Sequence, residues 1–336
     1  MATLVTCGTG FVSRAFVRAL RAEGECVHVL IRDGSKASWF SKEKVFVGDV
    51  FDRSSVERAV RGVETIVHVP PRVYPNGDEP FQLAMHRQAH VETTRLVLDE
   101  AISKGVGKFL FVSSAHAGGR SPDRILCEFS GGRPQTPYAQ AKLEAEEVAR
   151  SYAQRYAIEV AILRPPGIYG SGDKSVVSLL YRAALLNLWL PFKGLDVFHS
   201  LVFVDNLARA GLALLKATGN GMGPGAYIVK DPVDYRPADL YGAVCKVLGK
   251  RVRLFQAPLP FLRSLGLIGN RCRNIPKLRG LSLCQHLITP QQYCGHLFNE
   301  TVPDFPFIDL DEAIRATVRP LTDSREKSGW QHNWCA

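Results

Sequence analysis

Short apolar runs alternate with amphipathic stretches through the first half of the chain. The apolar runs predict strands, and between them apolar residues recur every three or four positions, which indicates helices. The predicted strands are residues 3–6, 26–31, 45–47, 65–69, 109–113 and 160–163. The predicted helices are residues 11–22, 54–60, 82–104 and 138–156. This alternation predicts a parallel sheet with helices on both faces, which right-handed crossovers turn into a doubly wound α/β fold.

The pattern changes after about residue 170, where proline and glycine become frequent and helical patterns dominate. Short strands are predicted at 202–204 and 226–229. We therefore expect a first domain over 1–170, a smaller and mostly helical lobe over 171–323 with segments that return to the first domain, and a loosely held polar tail over 324–336. The most apolar segment, 176–192, contains Arg182 and Asn187 and is interpreted as a buried or ligand-facing helix.

The 336 residues carry a formal net charge of +10, but their basic residues are scattered. A basic protein can bind nucleic acid, an anionic membrane surface or an anionic ligand. Without a run of lysine and arginine we expect no nucleic-acid partner. The densest basic stretch, 263–279, is compatible with a solvated face and with a partner or membrane surface.

The eight cysteines form no C-x-x-C pair and no metal-ligand spacing, so no metal site is expected. Several lie in apolar stretches, where a free thiol packs as a small hydrophobe. We therefore predict free thiols and a reducing, cytoplasmic location. No basic region precedes the first strand, and no apolar stretch is long enough to span a bilayer, so neither a signal peptide nor a transmembrane segment is expected. A peripheral membrane contact and a homodimer remain open.

A glycine-rich turn, T-C-G-T-G-F-V-S over residues 6–13, joins the first strand to the first helix. In such a turn, backbone N–H groups and the helix N-terminus can meet a pyrophosphate. The alternative is a simple strand-to-helix connection. The residues predicted to hold a dinucleotide here are Thr6, Gly8, Gly10, Phe11 and Val12.

Tyr138 and Lys142 lie four residues apart at the start of a predicted helix and therefore on one helical face. An ammonium beside a phenol lowers the pKa of the phenol, which can then exchange a proton with a substrate oxygen while hydride moves to or from a nicotinamide. Ser114 follows the fifth strand, at the sheet edge where such folds bind ligands. The alternative is a surface helix on which a tyrosine and a lysine fall together by chance.

Together these motifs resemble the extended short-chain dehydrogenases, the NAD-dependent epimerase/dehydratase superfamily, whose fold is the dinucleotide-binding Rossmann fold. The resemblance implies an NAD(P)-dependent enzyme with Ser114, Tyr138 and Lys142 as catalytic residues. It also departs from the pattern, because Cys7 and Ser13 stand where the family has the first and third glycines of its fingerprint. Both substitutions add a side chain at a crowded place, which leaves open whether cofactor binding is weakened or altered.

Further cofactor contacts follow from the same resemblance. Arg32, at the end of the second strand, suits the 2′-phosphate of NADP, whereas a carboxylate there would bind the ribose of NAD. We therefore expect NADP as the cofactor. Asp33, the next residue, supplies a carboxylate, so NAD remains the alternative. Asp49 and Val50 resemble the adenine-contacting pair, although Asp49 could equally cap a helix. The remaining candidates near the cofactor are Val69, Pro70, Pro165 and Ile168, with Tyr138 and Lys142 also contacting it.

His90 occupies the place of an asparagine that, in the family, holds helix backbone and a proton-relay water. We interpret it as a histidine with satisfied hydrogen bonds rather than as a new catalytic base. His68 replaces a smaller residue near the cofactor.

The segments R-P-P-G-I-Y-G-S-G-D, from Arg164, and F-V-D-N, from Phe203, look closest to the 3β-hydroxysteroid dehydrogenase and dihydroflavonol reductase branches. That branch implies hydride exchange with a secondary alcohol or ketone. Apolar positions in the second half favour a steroid, sterol, terpenoid or phenolic small-molecule substrate, although they could be ordinary core: Leu179, Leu180, Leu185, Leu186, Leu188, Trp189, Leu190, Phe192 and 258–262. Two alternatives remain, a nucleotide-sugar epimerase or dehydratase and a non-catalytic NAD(P)-binding sensor or scaffold.

Overall fold

A seven-stranded parallel sheet forms the centre of the protein. The structure is a computed structural model that describes residues 2–130, 133–172, 176–217, 225–271 and 288–327. In chain order the strands are β1 (Ala2–Val5), β2 (Cys26–Ile31), β3 (Lys44–Val47), β4 (Thr65–His68), β5 (Lys108–Val112), β6 (Glu159–Arg164), β7 (Gly167–Tyr169), β8 (Leu201–Phe203) and β9 (Ala226–Ile228). The main sheet has the order β3-β2-β1-β4-β5-β6-β9, and β7 pairs with β8 in a separate parallel pair.

The α-helices connect and cover these strands. They are α1 (Phe11–Ala22), α2 (Arg53–Val60), α3 (Glu79–Arg87), α4 (Thr93–Ser103), α5 (Pro137–Arg155), α6 (Val176–Leu185), α7 (Val204–Ala217), α8 (Pro237–Val247), α9 (Leu259–Arg271), α10 (His296–Thr301) and α11 (Leu310–Lys327). A π-helical segment, Gln88–Glu92, joins α3 to α4. Short 3₁₀ turns span Gly34–Trp39 and Ala115–Gly118.

Two apolar clusters lie on opposite faces of the sheet. One contains Phe16 of α1 and Leu207 of α7 and extends to α8 and α11; the other contains Val56 of α2, Val97 of α4 and Ala145 of α5. A fully buried aliphatic or aromatic side chain contributes roughly 1.5–3 kcal/mol, so these clusters supply the main driving force for the layered fold. The doubly wound α/β fold predicted from the strand–helix alternation is confirmed.

The strand order also locates the binding edge. From β1 the chain moves outward through β2 to β3, and then returns to the other side of β1 at β4. In open sheets of this type ligands bind outside the carboxyl ends of the strands, where the winding reverses. That point lies between β1 and β4, directly beside the glycine-rich turn.

Three predicted features differ in the structure. The helix expected over 82–104 begins at Glu79 and is interrupted by the π-helical segment. The helix expected over 176–192 ends at Leu185, because the next residues turn and Leu190 pairs with Leu254 in an isolated bridge. The start of the expected tail is helical, since α11 continues to Lys327, while 328–336 lie outside the described residues. The domain limits stay a prediction, with β9 joining the main sheet from the second part of the chain.

The expectation of free thiols is wrong for two cysteines, because Cys127 and Cys294 form a disulfide. Their separation of 167 residues gave no spacing signal. The described free cysteines are Cys7, Cys26 and Cys245, and three further cysteines lie outside the described residues: Cys272, Cys284 and Cys335. Three residues of the basic stretch also lie outside the described residues: Arg273, Lys277 and Arg279. No described helix is long and apolar enough to cross a membrane.

Candidate active site

The glycine-rich turn brings backbone close to the sheet at the carboxyl end of β1. Gly8 packs against β2 so tightly that a Cβ there would lie 2.0 Å from Cγ1 of Val29. Gly10 is the N-cap residue of α1 and supplies no side-chain cap, so the amides of the first helical turn keep their donors for another acceptor. Phe11 and Val12 are partly exposed in that turn. This cradle fits the pyrophosphate of a dinucleotide.

Both departures from the glycine fingerprint are accommodated. Cys7 adopts a left-handed conformation with φ of 49°, which favours glycine. Ser13 is fully buried, and its hydroxyl donates to the carbonyl oxygen of Thr6 at 3.1 Å. Burial raises the pKa of Cys7 to about 12, with the Asp49 carboxylate adding to the effect, so this side chain stays a neutral thiol. The turn therefore retains its backbone path, although Cys7 takes a conformation that is unfavourable for a residue other than glycine.

The Thr6 side chain links the end of β1 to β4 through hydrogen bonds. Its Oγ1 lies 2.9 Å from Nδ1 of His68 and accepts from the backbone N–H of Val69 at 3.0 Å. Because Thr6 is fully buried, its side chain positions the turn. Pro70 follows as a buried residue at the end of β4, where Val69 stays partly exposed.

Arg32 and Asp33 differ in what their side chains do at the end of β2. Arg32 is exposed and makes no ion pair or hydrogen bond within the part of the chain that the structure describes. Asp33 accepts from the backbone and hydroxyl of Ser35 and lies 3.4 Å from Lys36 Nζ. These Ser35 hydrogen bonds lower the pKa of Asp33 and commit it to capping the following 3₁₀ turn.

Asp49 does not cap a helix. The N-cap residue of α2 is Asp52, which accepts from the backbones of Ser54 and Ser55, whereas Asp49 accepts from the backbone of Phe51 at 3.2 Å. Val50, beside it, is buried. The helix-capping alternative for Asp49 is therefore wrong, and the adenine-contact interpretation stays a prediction.

Ser114 and Tyr138 meet at the carboxyl end of β5. Thr136 caps α5 by accepting from the backbone of Ala139 at 3.2 Å, and Pro137 occupies the first turn, so Tyr138 lies at the helix N-terminus. Its hydroxyl lies close enough to the Ser114 hydroxyl for the two groups to interact. Burial raises the pKa of Tyr138, while the Ser114 hydroxyl and the charge of Arg72 lower it.

Lys142 lies one helical turn after Tyr138 and is buried, with 4% of its surface exposed. Its Nζ donates to the carbonyl oxygen of Val112 at 3.0 Å and lies 5.9 Å from the centre of the Tyr138 ring. Burial lowers the pKa of Lys142 to about 7, against the opposing charge of the Glu146 carboxylate. Lys142 is not among the causes that shift the pKa of Tyr138, so the expected effect of the ammonium on the phenol stays a prediction.

Glu146 is a buried anchor that the sequence analysis missed. It accepts from Ser113 Oγ at 2.6 Å, from Nε and Nη2 of Arg164 at 2.9 and 2.6 Å, and from Arg150 at 2.9 Å. These bonds link α5 to β5 and β6 next to the candidate residues Ser114 and Lys142. The signal available in the sequence was its position four residues after Lys142, on the same helical face.

The segment after β6 reaches the same edge of the sheet. Pro165 is buried, and its carbonyl oxygen accepts from the backbone of Ala115 at 2.9 Å, which joins the Ser114 turn to this segment. Ile168 is partly exposed on β7. The later Asn206 is fully buried, donates to Asp231 and Ile308, and therefore has a packing role.

His90 lacks the hydrogen bonds expected of a structural histidine. It is 3% exposed, and neither ring nitrogen has a partner among the described residues. Its ring stands edge-on to the Tyr138 ring, with centroids 5.4 Å apart, and stacks on the His86 ring at 5.6 Å. The expectation of a satisfied histidine is therefore wrong.

Several enzymes of known activity are similar to this chain in sequence. The chain is 24% identical to UDP-glucose 4-epimerase of Vibrio cholerae over 287 residues, which cover 82% of this chain and 85% of that protein. It is 26% identical to ceramide reductase of Caulobacter vibrioides (84% and 83% covered). It is 25% identical to 3β-hydroxysteroid dehydrogenase/Δ5→4-isomerase of Mycobacterium tuberculosis (74% and 70% covered).

A solved UDP-glucose 4-epimerase structure has the same fold, with a TM-score of 0.74 at 15% identity, covering 99% of this chain and 100% of that one. The model of the NAD-dependent epimerase/dehydratase family matches residues 3–229. The predicted resemblance is thereby confirmed, and a nicotinamide cofactor is the one that this family uses. The chain belongs to the NAD-dependent epimerase/dehydratase family, whose members are enzymes of the extended short-chain dehydrogenase type.

Proposed function

We propose that this enzyme exchanges hydride between a nicotinamide and a secondary alcohol or ketone. The observation that carries the proposal is the proximity of the Ser114 and Tyr138 hydroxyls, with the buried Lys142 one helical turn away. A phenol, a hydroxyl and an amine at the carboxyl edge of a dinucleotide-binding sheet are the groups that this chemistry needs. Their presence also argues against a non-catalytic sensor or scaffold.

Each side chain has a distinct task. The bound nicotinamide supplies or accepts the hydride. In the direction of reduction Tyr138 gives its proton to the substrate oxygen, and its raised pKa keeps the phenol protonated at neutral pH. Ser114 donates a hydrogen bond to the same oxygen and fixes its position. Lys142 holds the ribose hydroxyls and stabilises the tyrosinate left after proton transfer.

NADP is the proposed cofactor form. Arg32 is exposed at the end of β2 with its guanidinium uncommitted among the described residues, and it can bind a phosphate through two charge-assisted hydrogen bonds. Asp33, the residue that would favour NAD, already forms a hydrogen bond with Ser35 and an ion pair with Lys36.

A hydrophobic substrate is supported by the apolar surface of the second half. Leu180 and Phe192 are buried and belong to the core. Leu186, Leu188 and Trp189 are about half exposed, beside the segment that pairs with Leu254. Two of the relatives are named for a ceramide and for a steroid, both apolar molecules.

Exposed apolar residues on α9 support a peripheral contact with a membrane. Phe261, Leu267 and Ile268 are each at least half exposed, and Arg263 on the same helix is also exposed. Apolar residues flanked by positive charge are typical of surfaces that bind anionic lipids. A homodimer would cover the same residues.

The cytoplasmic location stays a prediction. The Cys127–Cys294 disulfide argues against it, because disulfides persist mainly in oxidising compartments.

A nucleotide-sugar epimerase is the second candidate, and the likeness to the Vibrio cholerae epimerase favours it. An epimerase of this kind oxidises and re-reduces its substrate without net cofactor turnover. Conversion of UDP-galactose to UDP-glucose by the purified protein, without consumption of NADPH or NADH, would support this candidate over the first.

The test measures binding before turnover. Fluorescence titration with NADPH and NADH should show binding, and NADPH oxidation is then followed with dihydrotestosterone, menthone, acetophenone and cyclohexanone. Tyr138→Phe should abolish turnover and leave NADPH affinity within about twofold, because only the proton donor is lost. Tyr152→Phe on the same helix, whose hydroxyl bonds Asp99, is the matched control and should retain turnover. Retained activity in Tyr138→Phe excludes the acid–base role.

A further inference from the structure

Positive charge is concentrated in two stretches of the second half of the chain. Residues 240–299 contain nine lysines and arginines and no aspartate or glutamate, and residues 174–195 contain three basic residues and again no acidic one. The two stretches therefore hold more than the whole net charge of +10. Their basic residues are spaced apart, but no carboxylate within either stretch offsets them. Charge of one sign over such a length indicates a surface that attracts anions.

Backbone hydrogen bonds join the two stretches in the fold. The N–H of Leu190 donates to the carbonyl oxygen of Arg253 at 3.0 Å, and the N–H of Phe255 donates to the carbonyl oxygen of Leu190 at 2.9 Å. Helix α9 begins four residues after Phe255. The exposed residues of 186–193, 250–255 and α9 therefore lie on adjoining segments, and we call them the docking surface.

The docking surface exposes apolar side chains where the outer face of a soluble helix normally carries polar ones. On α9, Leu262 is buried, whereas Phe261, Leu267 and Ile268 are each at least half exposed. Phe261 and Ile268 are about two helical turns apart and share a face. Trp189, after α6, is 60% exposed. Exposed apolar residues grouped in this way mark a surface that a partner or a membrane covers.

Cations without partners adjoin these apolar residues. Lys250, Arg251 and Arg263 are exposed and form no ion pair within the part of the chain that the structure describes. Lys246 differs, because it forms an ion pair with Asp311 of α11. The docking surface therefore offers apolar side chains together with ammonium and guanidinium groups whose charge is not compensated.

A bilayer of anionic phospholipid matches both properties, because its acyl chains cover apolar side chains and its phosphates attract cations. Trp189 agrees with this occupant, since tryptophan is enriched at the depth of the lipid headgroups. Nucleic acid would match the cations but leave the apolar side chains in water. A second copy of the chain would cover the apolar side chains but bring like charges together, since a twofold interface pairs a surface with itself.

We propose that the docking surface binds a bilayer of anionic phospholipid and that the enzyme takes its apolar substrate from that bilayer. Helix α6 connects the two places. A Cβ on Gly172, before α6, would lie 3.7 Å from Cδ2 of Phe11 in the glycine-rich turn, and residues 186–189 of the docking surface follow the end of α6. The ten residues of α6 rise about 15 Å, so a substrate dissolved in acyl chains has a short route to the crevice. The docking stands on its own, whereas the uptake of substrate rests on the proposed hydride transfer.

Sedimentation with vesicles tests the docking in the full chain. The wild type should bind vesicles of equal parts phosphatidylcholine and phosphatidylglycerol at least about tenfold more tightly than vesicles of phosphatidylcholine alone, because each cation near an anionic surface strengthens binding about fivefold. Arg251→Glu, which reverses one charge, should weaken binding to the mixed vesicles about tenfold or more. Leu267→Ser should weaken it at least about fivefold, because an apolar side chain is lost from the contact. Brominated phosphatidylcholine in the mixed vesicles should quench tryptophan fluorescence, and Trp189→Phe should remove that quenching.

The matched control combines Arg155→Glu with Tyr156→Ser. These residues form an exposed pair of a cation and an aromatic ring at the end of α5, outside the docking surface, and their replacement should leave vesicle binding unchanged. Equal binding to the two kinds of vesicle, or unchanged binding in Arg251→Glu, overturns the docking. A wild type that binds neither vesicle also overturns it: binding of single-stranded RNA that Arg251→Glu abolishes would then assign the surface to nucleic acid, and a dimer that Leu267→Ser dissociates would assign it to a second copy.

The uptake of substrate is tested with dihydrotestosterone dissolved in the two kinds of vesicle at equal total lipid. The wild type should oxidise NADPH at least about threefold faster with the mixed vesicles, and Arg251→Glu should remove the difference, because docking brings the enzyme to its dissolved substrate. Cyclohexanone, which dissolves in water, should be reduced at the same rate with either vesicle. Equal rates with dihydrotestosterone, in a protein that binds the mixed vesicles more tightly, overturn the uptake alone. A wild type that binds NADPH but reduces no ketone overturns the proposed function and the uptake, while vesicle binding still decides the docking.

Discussion

Arg164 donates two hydrogen bonds to Glu146, from Nε at 2.9 Å and from Nη2 at 2.6 Å, and both side chains are buried. The pair links the end of β6 to α5 one turn after Lys142. Because Glu146 also accepts from Ser113, the residue beside Ser114, one carboxylate links α5, β6 and the end of β5 at the proposed catalytic centre.

Glu146→Gln should lower the free energy of unfolding by about 3–5 kcal/mol, because removing one partner of a buried ion pair leaves the Arg164 charge uncompensated. Urea denaturation measures the change. Glu144→Gln on the same helix breaks the bidentate pair with Arg87, whose side chain is about half exposed, and should cost no more than about 1 kcal/mol. Equal losses in the two variants would contradict the role assigned to Glu146.

Lys142 should make the stability of the protein rise with pH. Burial lowers its pKa in the folded state to about 7, whereas an unfolded lysine has a pKa of about 10.4. Between these values the unfolded chain binds a proton that the folded protein does not, so the free energy of unfolding increases with pH, by at most about 1.4 kcal/mol per pH unit.

The stability of the wild type is compared with that of Lys142→Met by urea denaturation at pH 6, 7, 8 and 9. The difference between the wild type and the variant cancels the other titrating groups to a first approximation. The free energy of unfolding of the wild type, relative to that of the variant, should increase above pH 7 and stay constant below pH 7. Two parallel stability curves across the whole range would show that Lys142 is protonated in the folded state throughout.

The fold, and the proximity of the candidate residues Ser114, Tyr138 and Lys142, could be predicted from sequence because their signals are local. Apolar strands alternate with helices, and Tyr138 and Lys142 are one helical turn apart. The Glu146–Arg164 pair and the stacked histidine rings could not, because they depend on side chains from different elements that meet only after the sheet has formed. The Cys127–Cys294 pairing is harder still, since a cysteine count without spacing signals leaves many pairings equivalent.

Arg32→Ala should weaken NADPH binding by about tenfold to a hundredfold and leave NADH binding unchanged. A hydrogen bond to a charged group contributes about 1.5–3 kcal/mol, and NADH lacks the 2′-phosphate that would accept it. Fluorescence titration with both dinucleotides measures the two affinities. Lys36→Ala is the control, because Lys36 lies 3.4 Å from Asp33 and is partly neutralised there. Equal weakening of NADPH and NADH by Arg32→Ala would assign Arg32 to another part of the cofactor.

The disulfide between Cys127 and Cys294 ties the loop after Ser114 to the segment before α10. The two segments also pair through their backbones, with Leu126 donating to Gln292 at 3.1 Å and Cys294 donating to Leu126 at 3.0 Å. Tyr293 donates its hydroxyl to the Gly119 carbonyl oxygen at 3.2 Å, so several non-covalent contacts hold the same junction. We therefore expect the disulfide to stabilise the fold without being required for the geometry of the site.

Cys127→Ser should lower the free energy of unfolding by about 2–5 kcal/mol, because the bond restricts a long loop of the unfolded chain. Urea denaturation with and without dithiothreitol measures this. The reductant should lower the wild-type value to that of Cys127→Ser and leave the variant unaffected, while Cys26→Ser, at an exposed free thiol, should behave as the wild type. Because the backbone pairing between Leu126 and Cys294 remains, NADPH affinity should persist in the reduced protein at low denaturant. A wild type whose unfolding is insensitive to dithiothreitol would show that the bond does not contribute to stability.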